Sequence, residues 1–148
     1  MRVSVAKIAP PRGYARRLSS LMAIKLNHTI VHSLDQGESA RFLAELFGLP
    51  APKPFGPFLG VDTGNEVTLD FLNADGMEIQ MQHYAFLVSE AEFDQIFGRI
   101  QARGIKYWAD PGRTEEGRIN HHFGGRGVYF QDPSGHLLEI ITRPYGSR

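Results

Sequence analysis

The sequence predicts an α+β fold made of two copies of one βαβββ unit, and three observations lead to this. Residues 24–32 alternate in polarity and 81–88 form an apolar run, which indicates a strand at the start of each half. Each strand precedes a segment with apolar residues at helical spacing, 38–47 and 92–103. Each half then ends in two further apolar runs joined by a turn, and in the second half residues 105–108 indicate one more strand before them. We expect one module over about 23–73 and a second over about 81–143.

The ends of these elements are also marked. Gly48 followed by Pro50 ends the first helical segment, and Gly104 ends the second. A Pro-rich connection of irregular structure is expected from 50 to 57. The paired apolar runs are 58–62 with 66–72 in the first half and 127–131 with 136–142 in the second half. The second pair is joined by Asp132-Pro133-Ser134-Gly135, a sequence typical of a type I turn.

Length and composition exclude several classes of protein. The 148 residues suffice for one domain with a core, and 42% hydrophobic and 22% charged residues are ordinary for a globular chain. The formal net charge is zero, so nothing indicates nucleic-acid binding. The absence of cysteine excludes disulfides and thiolate ligands, and no apolar run approaches the ~20 residues of a membrane span. We expect a cytoplasmic protein with a small-molecule partner.

The first 21 residues differ from the rest because they contain five basic residues and no acidic one. Three interpretations remain open for this basic tail. It is a flexible extension, a targeting segment, or the product of a start codon upstream of a true start at Met22. In each case the domain runs from 22 to 148, and the tail is not expected to form the site.

Two histidines and one glutamate lie at nearly equal intervals inside apolar strand-like runs. His28, His83 and Glu139 are separated by 55 and 56 residues. A carboxylate in an apolar strand is costly unless a cation or hydrogen-bond donors meet it. Two imidazoles and one carboxylate suit a divalent metal with open coordination positions. The alternatives are core histidines bonded to the backbone and an ion pair of Glu139 with Arg126 or Arg143.

The chain from about Ala23 to Arg143 resembles the vicinal oxygen chelate superfamily of glyoxalases, bleomycin-resistance proteins and extradiol dioxygenases. The resemblance implies an open, cupped eight-stranded mixed sheet around a metal cavity, with His28, His83 and Glu139 as ligands, and a homodimer. The resemblance rests on three segments: Leu26-Asn27-His28, Gln82-His83-Tyr84 and the run Val128-Tyr129-Phe130-Gln131-Asp132-Pro133-Ser134-Gly135-His136-Leu137-Leu138-Glu139-Ile140.

Glyoxalases in this superfamily use a fourth ligand, a carboxylate on the last strand of the first unit. Aligning Gly64-Asn65 with Gly135-His136 puts Thr68 at the position of Glu139. Threonine is not the expected ligand, and Asp70 lies two residues further along the same strand face. We therefore expect three protein ligands and no glyoxalase activity.

Three further residues are candidates for catalysis beside the metal. Tyr129 lies on the strand next to that of Glu139, and its hydroxyl could bind a substrate oxygen; a core tyrosine is the alternative. His121 and His122 precede this strand, where the resemblance to extradiol dioxygenases implies an acid–base histidine. Solvated loop histidines are the alternative.

The sequence as a whole predicts a metal-dependent enzyme of the glyoxalase/dioxygenase type. We expect a dioxygenase- or lyase-like reaction on a small, aromatic or apolar substrate that chelates one divalent metal through vicinal oxygens. Fe²⁺ is favoured, and Mn²⁺, Ni²⁺ or Zn²⁺ would also suit the ligands. A metal-free binding protein that sequesters a small molecule is the main alternative, and an accessory domain that binds a protein is a third. Whether one chain or two form the site is left open.

Overall fold

Each half of the chain folds as a βαβββ module, which confirms the repeated unit predicted from the sequence. The structure is a computed structural model that describes residues 24–146. The first module contains β1 (His28–Ser33), α1 (Gln36–Phe47), β2 (Lys53–Phe55), β3 (Phe58–Asp62) and β4 (Thr68–Asn73). The second module contains β5 (His83–Leu87), α2 (Glu90–Ala102), β6 (Tyr107–Trp108), β7 (Gly127–Gln131) and β8 (Leu137–Ile141).

The eight strands form two sheets of four in the described part of the chain. Their orders are β1-β4-β3-β2 and β5-β8-β7-β6. In each sheet the first strand of the module pairs in parallel with the last, and the other pairs are antiparallel. The first strands, β1 and β5, are therefore edge strands, and each carries one of the two histidines of the predicted metal site.

One strand was not expected. The Pro-rich connection over 50–57 contains β2, which pairs antiparallel with β3. Pro54 lies in the middle of β2 and has no N–H to donate. An edge strand tolerates this because one side of its backbone needs no partner.

The helices begin and end where their capping residues place them. Asp35 caps α1 by accepting from the Glu38 N–H, and Ser89 with Glu92 forms a capping box at α2. Gly48, with φ of 68°, ends α1 in the left-handed conformation that favours glycine. Both helices therefore start two residues earlier than the apolar spacing predicts.

A single core joins the two modules. It contains Val31 and Phe71 from the first sheet, Phe130 and Ile140 from the second, and apolar residues of both helices. A hydrogen bond from His136 Nε2 to the His32 carbonyl, 2.7 Å long, also links the modules. Because side chains of a strand alternate between faces, the residues between these core positions lie on the opposite, outer face of each sheet.

The outer faces include the predicted metal ligands. On the edge strands His28, Ile30 and His32 of β1 and His83, Ala85 and Leu87 of β5 are exposed. Glu139 lies on the outer face of the second sheet because its neighbours Leu138 and Ile140 point into the core. The face of each sheet that could hold a metal therefore points away from the shared core.

The strand register corrects the alignment of the two modules. Thr68 is equivalent to Leu137, and Asp70 is equivalent to Glu139, so the assignment of Thr68 to the glutamate position was wrong. The residues that lie opposite each other are His28 with Thr68, Ile30 with Asp70, His83 with Leu137 and Ala85 with Glu139.

The reason for the wrong alignment is a turn residue. Thr63 donates to the Val67 carbonyl and Asp132 to the His136 carbonyl, so the two turns have equal length. The residue equivalent to Gly135, whose φ is 88°, is therefore Glu66, whose φ is 65°. Matching glycine with glycine shifted the alignment because the first module has a glutamate in the left-handed position.

Among residues 24–146, no helix has the length and apolar character needed to cross a membrane. The basic tail over 1–21, and the interpretations of it, lie outside the described residues.

Candidate metal centre

Glu139 is the most deeply buried charged side chain of the outer faces, with no exposed surface. It lies in the centre of β8, opposite Ala85 on β5 and Tyr129 on β7. Its two oxygens have different partners. Oε2 lies 3.2 Å from His83 Nε2, and Oε1 accepts a short hydrogen bond from the Tyr145 hydroxyl. The structure thus brings His83 and Glu139 together, and their role as metal ligands stays a prediction.

The contact between His83 and Glu139 requires a proton or a metal ion between the two atoms. His83 Nδ1 lies 3.1 Å from the Leu137 carbonyl, which can only accept, so Nδ1 carries a proton. The Nε2 lone pair of a neutral ring would then face a carboxylate oxygen. This arrangement is stable if Nε2 is protonated or if a cation lies between the two groups. Two ligand atoms that each lie about 2.1 Å from one metal ion are separated by a distance similar to the 3.2 Å between Nε2 and Oε2.

On the first sheet, His28 also uses Nδ1 for a hydrogen bond to an oxygen acceptor. Its Nδ1 lies 2.8 Å from Asn27 Oδ1, which again can only accept. The Nε2 atom is left with its lone pair free, and the side chain is exposed. Metal-binding histidines commonly use one ring nitrogen for such a hydrogen bond and the other for the ion.

Asp70 completes the outer face of the first sheet. Only 8% of this residue is exposed, and its carboxylate has no hydrogen bond or ion pair within the described chain. No buried side-chain oxygen of the described residues lacks a partner, so the carboxylate oxygens of Asp70 reach solvent, where a cation could bind them. His28 and Asp70 thus repeat the arrangement of His83 and Glu139, two positions apart on neighbouring strands.

The two pairs do not meet. In the part of the chain that the structure describes, no three histidine, aspartate or glutamate side chains are close enough to hold one metal ion. We name the first pair, His28 and Asp70, half-site 1 and the second pair, His83 and Glu139, half-site 2. The structure therefore brings together two of the three predicted ligands and leaves His28 on another surface.

Tyr129 lies beside half-site 2, and its hydroxyl is engaged. Its oxygen is 2.7 Å from that of Tyr145, and its ring stacks on His83 with the centroids 5.9 Å apart. Burial, the hydrogen bond with Tyr145 and the negative charge of Glu139 raise the pKa of Tyr129 far above its ordinary value. The phenol is therefore neutral and can donate one hydrogen bond.

His121 and His122 lie at an exposed 3₁₀ turn that begins at His122. Neither side chain contacts half-site 2 directly. His122 packs against Phe123, with ring centroids 6.5 Å apart, and Phe123 packs in turn against Tyr145 at 5.4 Å. The two histidines are thus at the border of the site, and their catalytic role stays a prediction.

The ion pair considered as an alternative for Glu139 is not formed. Arg126 binds Glu90 and Asp94, each at 2.7 Å, and its guanidinium lies over Phe93. No ion pair joins Arg143 to Glu139 within residues 24–146. The alternative was therefore wrong for both arginines.

Two residues of the site were missed or left aside by sequence reasoning. Asp70 was named but misaligned, and the left-handed Glu66 would have been needed to correct the register. Tyr145 follows β8 by a few residues and lies in no motif. No signal in the sequence indicates that its hydroxyl would return to Glu139.

Comparison with known proteins is consistent with this geometry. The chain belongs to the glyoxalase/bleomycin resistance protein/dioxygenase superfamily, whose sequence profile matches residues 25–140. It is 29% identical to the glutathione transferase FosA of Serratia marcescens over 132 residues, which are 86% of each chain. The repeated modules and the pattern of paired sheets are those of this family.

Solved structures include more similar proteins. The oxidase ChaP-H1 is 59% identical, with a TM-score of 0.82, over 84% of this chain and 100% of that one. The oxidase ChaP-H2 is 56% identical, with a TM-score of 0.82, over 85% and 98%. The fosfomycin resistance protein FosX of Mesorhizobium loti shares the fold at 20% identity, with a TM-score of 0.62, over 84% and 96%.

Proposed function

We propose that this protein is a metal-dependent oxidase that acts on a small aromatic substrate. The single observation that carries the proposal is the contact of His83 Nε2 with the buried Glu139 Oε2, two ligand atoms at the separation expected of neighbours on one metal ion. The similarity to two oxidases, at 59% and 56% identity, favours oxygen chemistry over the lyase reaction also considered.

The ligands that would hold the metal are His83 and Glu139 of half-site 2 with His28 and Asp70 of half-site 1. This set revises the three-ligand prediction because Asp70 occupies the position of Glu139 in the first module. Two imidazoles and two carboxylates suit Fe²⁺, and also Mn²⁺, Ni²⁺ or Zn²⁺, and leave two positions open in octahedral geometry. When bound, the ion would supply Lewis-acid and redox chemistry.

Half-site 1 would come from a second copy of the chain. Both half-sites lie on faces turned away from the shared core, so they cannot close on each other within one described chain. The faces also carry exposed apolar side chains, including Ile30 at 43% and Leu87 at 61% exposure. A homodimer that pairs these faces would cover the unpaired edges β1 and β5 and form two centres.

The side chains beside half-site 2 favour an aromatic substrate. Trp108, Tyr129 and Leu137 form a small apolar cluster on the outer face, and Phe123 and Tyr145 are exposed next to it. Within the described residues, no arginine or lysine lies over an aromatic ring of this group. Aromatic walls stack on a planar substrate and exclude water from it. Tyr129 and one of His121 and His122 are the candidates to bind or protonate its oxygens.

Metal analysis tests the proposal. We expect purified wild-type protein to contain about one equivalent of metal per chain, with iron preferred in reloading experiments, and His83→Ala and Glu139→Gln to contain little. His32→Ala is the matched control, because His32 lies on the outer face of β1 but belongs to neither half-site. Protein that binds no divalent metal after reloading would support the sequestering function instead.

A further inference from the structure

The Tyr145 hydroxyl lies between Glu139 of half-site 2 and the neighbouring Tyr129. Its hydroxyl donates to Glu139 Oε1, because a carboxylate can only accept. A phenol has one proton, so Tyr145 must accept from Tyr129, whose oxygen is 2.7 Å away. The hydrogen bonds thus run in one direction, from Tyr129 to Tyr145 to Glu139.

We infer that Tyr145 is a positioning residue that determines which oxygen of Glu139 binds the metal. This rests on the proposed function. Oε1 is occupied by Tyr145, and Oε2 faces His83 Nε2 at 3.2 Å. A carboxylate can bind a metal through one or both oxygens. The hydrogen bond to Oε1 leaves Oε2 as the ligand atom and keeps the remaining coordination positions open.

Several observations support a positioning role over a purely structural one. Half of Tyr145 is exposed, at 51%, so core packing does not hold it in place. Its position depends on the two hydroxyl contacts and on the ring of Phe123, 5.4 Å away. Glu139 has no exposed surface, so water in this structure cannot replace the hydroxyl at Oε1.

The test is a titration of metal-free protein with Co²⁺, followed by visible absorption, in the variant Tyr145→Phe. This change keeps the ring against Phe123 and removes only the hydroxyl. We expect Co²⁺ affinity to fall about tenfold or more, as is typical when a partner of a metal ligand is lost. The absorption spectrum should also change, because Glu139 is then free to bind through both oxygens.

Two variants serve as controls. Tyr107→Phe removes a hydroxyl far from the site, where the Tyr107 ring packs against Phe97, and should leave affinity and spectrum unchanged. Tyr129→Phe removes the donor to Tyr145 but keeps the hydrogen bond from Tyr145 to Glu139, so its Co²⁺ affinity should fall less than that of Tyr145→Phe. The unfolding temperature of the metal-free variants shows whether any loss reflects misfolding.

The outcomes separate this inference from the proposed function. If wild-type protein binds Co²⁺ and Tyr145→Phe binds it equally well or more tightly with the same spectrum, the positioning role is wrong and the metal centre stands. If wild-type protein binds neither Co²⁺ nor Fe²⁺, both are wrong.

Discussion

At the scale of residues, the two carboxylates of the outer faces differ in how they are stabilised. Glu139 is fully buried but has a phenol at one oxygen and an imidazole at the other. Asp70 is 8% exposed and has no donor in the described chain. A carboxylate in the first situation is held by protein groups before a metal binds, whereas the oxygens of the second depend on solvent until a cation arrives.

This difference gives an expectation for the substitution Asp70→Asn. Because the Asp70 carboxylate has no partner in the described chain and its oxygens reach solvent, the change should alter the stability of the metal-free protein by less than about 0.5 kcal/mol. The same change should weaken metal binding, so the rise in unfolding temperature on adding Fe²⁺ or Co²⁺ should shrink. Thermal unfolding with and without metal measures both effects.

Glu139→Gln is the comparison variant. It breaks the contact with His83 in the metal-free state and should lower the unfolding temperature as well as metal binding. If Asp70→Asn leaves the metal-induced shift intact, Asp70 is not a ligand.

At the scale of elements, the strand register decides which residue of the first module occupies the position equivalent to Glu139. The length of the turn before the last strand sets this register, and the two turns, over 63–67 and 132–136, are equally long. Gly135 adopts a φ of 88° in its turn, and Glu66 adopts 65° in the other. Glycine at Gly64 has no such requirement, since its φ lies outside the left-handed region.

A pair of alanine substitutions tests this assignment. Gly135→Ala should lower the free energy of unfolding by about 1–2 kcal/mol, because alanine is strained in the left-handed region. Gly64→Ala should leave it unchanged or raise it slightly, since neither site has an atom within 4 Å of an added Cβ. Urea unfolding of the metal-free protein measures both. Equal losses in the two variants would contradict the register that equates Asp70 with Glu139.

The elements also show what could be predicted from the sequence. Alternation, helical spacing and capping signals were enough to predict both modules, and the histidine spacing placed His83 beside Glu139. The strand β2 was missed because Pro54 suggests irregular backbone, although an edge strand accepts it. Asp70 was misaligned because the left-handed turn position of the first module is occupied by Glu66 and not by a glycine, so the equivalence of the two turns could not be recognised. Tyr145 was not found because its contact with Glu139 depends on how the chain turns after β8, which local patterns do not encode.

At the scale of the whole molecule, the shared core leaves the two half-sites on separate outer faces of the chain. Core residues of both sheets pack together with both helices, and each ligand pair therefore faces outward. In a homodimer that joins half-site 1 of one chain with half-site 2 of the other, each metal centre needs both chains. A monomer would hold a metal with two protein ligands at most and would bind it weakly.

The measurement that tests the shared centre most directly is complementation between two inactive variants. His28→Ala and Glu139→Gln homodimers should each bind little metal, because every centre lacks one ligand. After unfolding and refolding of an equimolar mixture, each heterodimer should contain one intact centre and one that lacks both ligands. Metal bound per chain should then rise to about a quarter of the wild-type value, since half of the dimers in a random mixture are heterodimers.

A mixture of His83→Ala with Glu139→Gln is the matched control. Both changes lie in half-site 2, so no heterodimer has an intact centre and metal binding should stay at the level of the single variants. Recovery in the first mixture and none in the second is the expected result. No recovery in the first mixture, from variants that refold and form mixed dimers, would contradict a metal centre built from two chains.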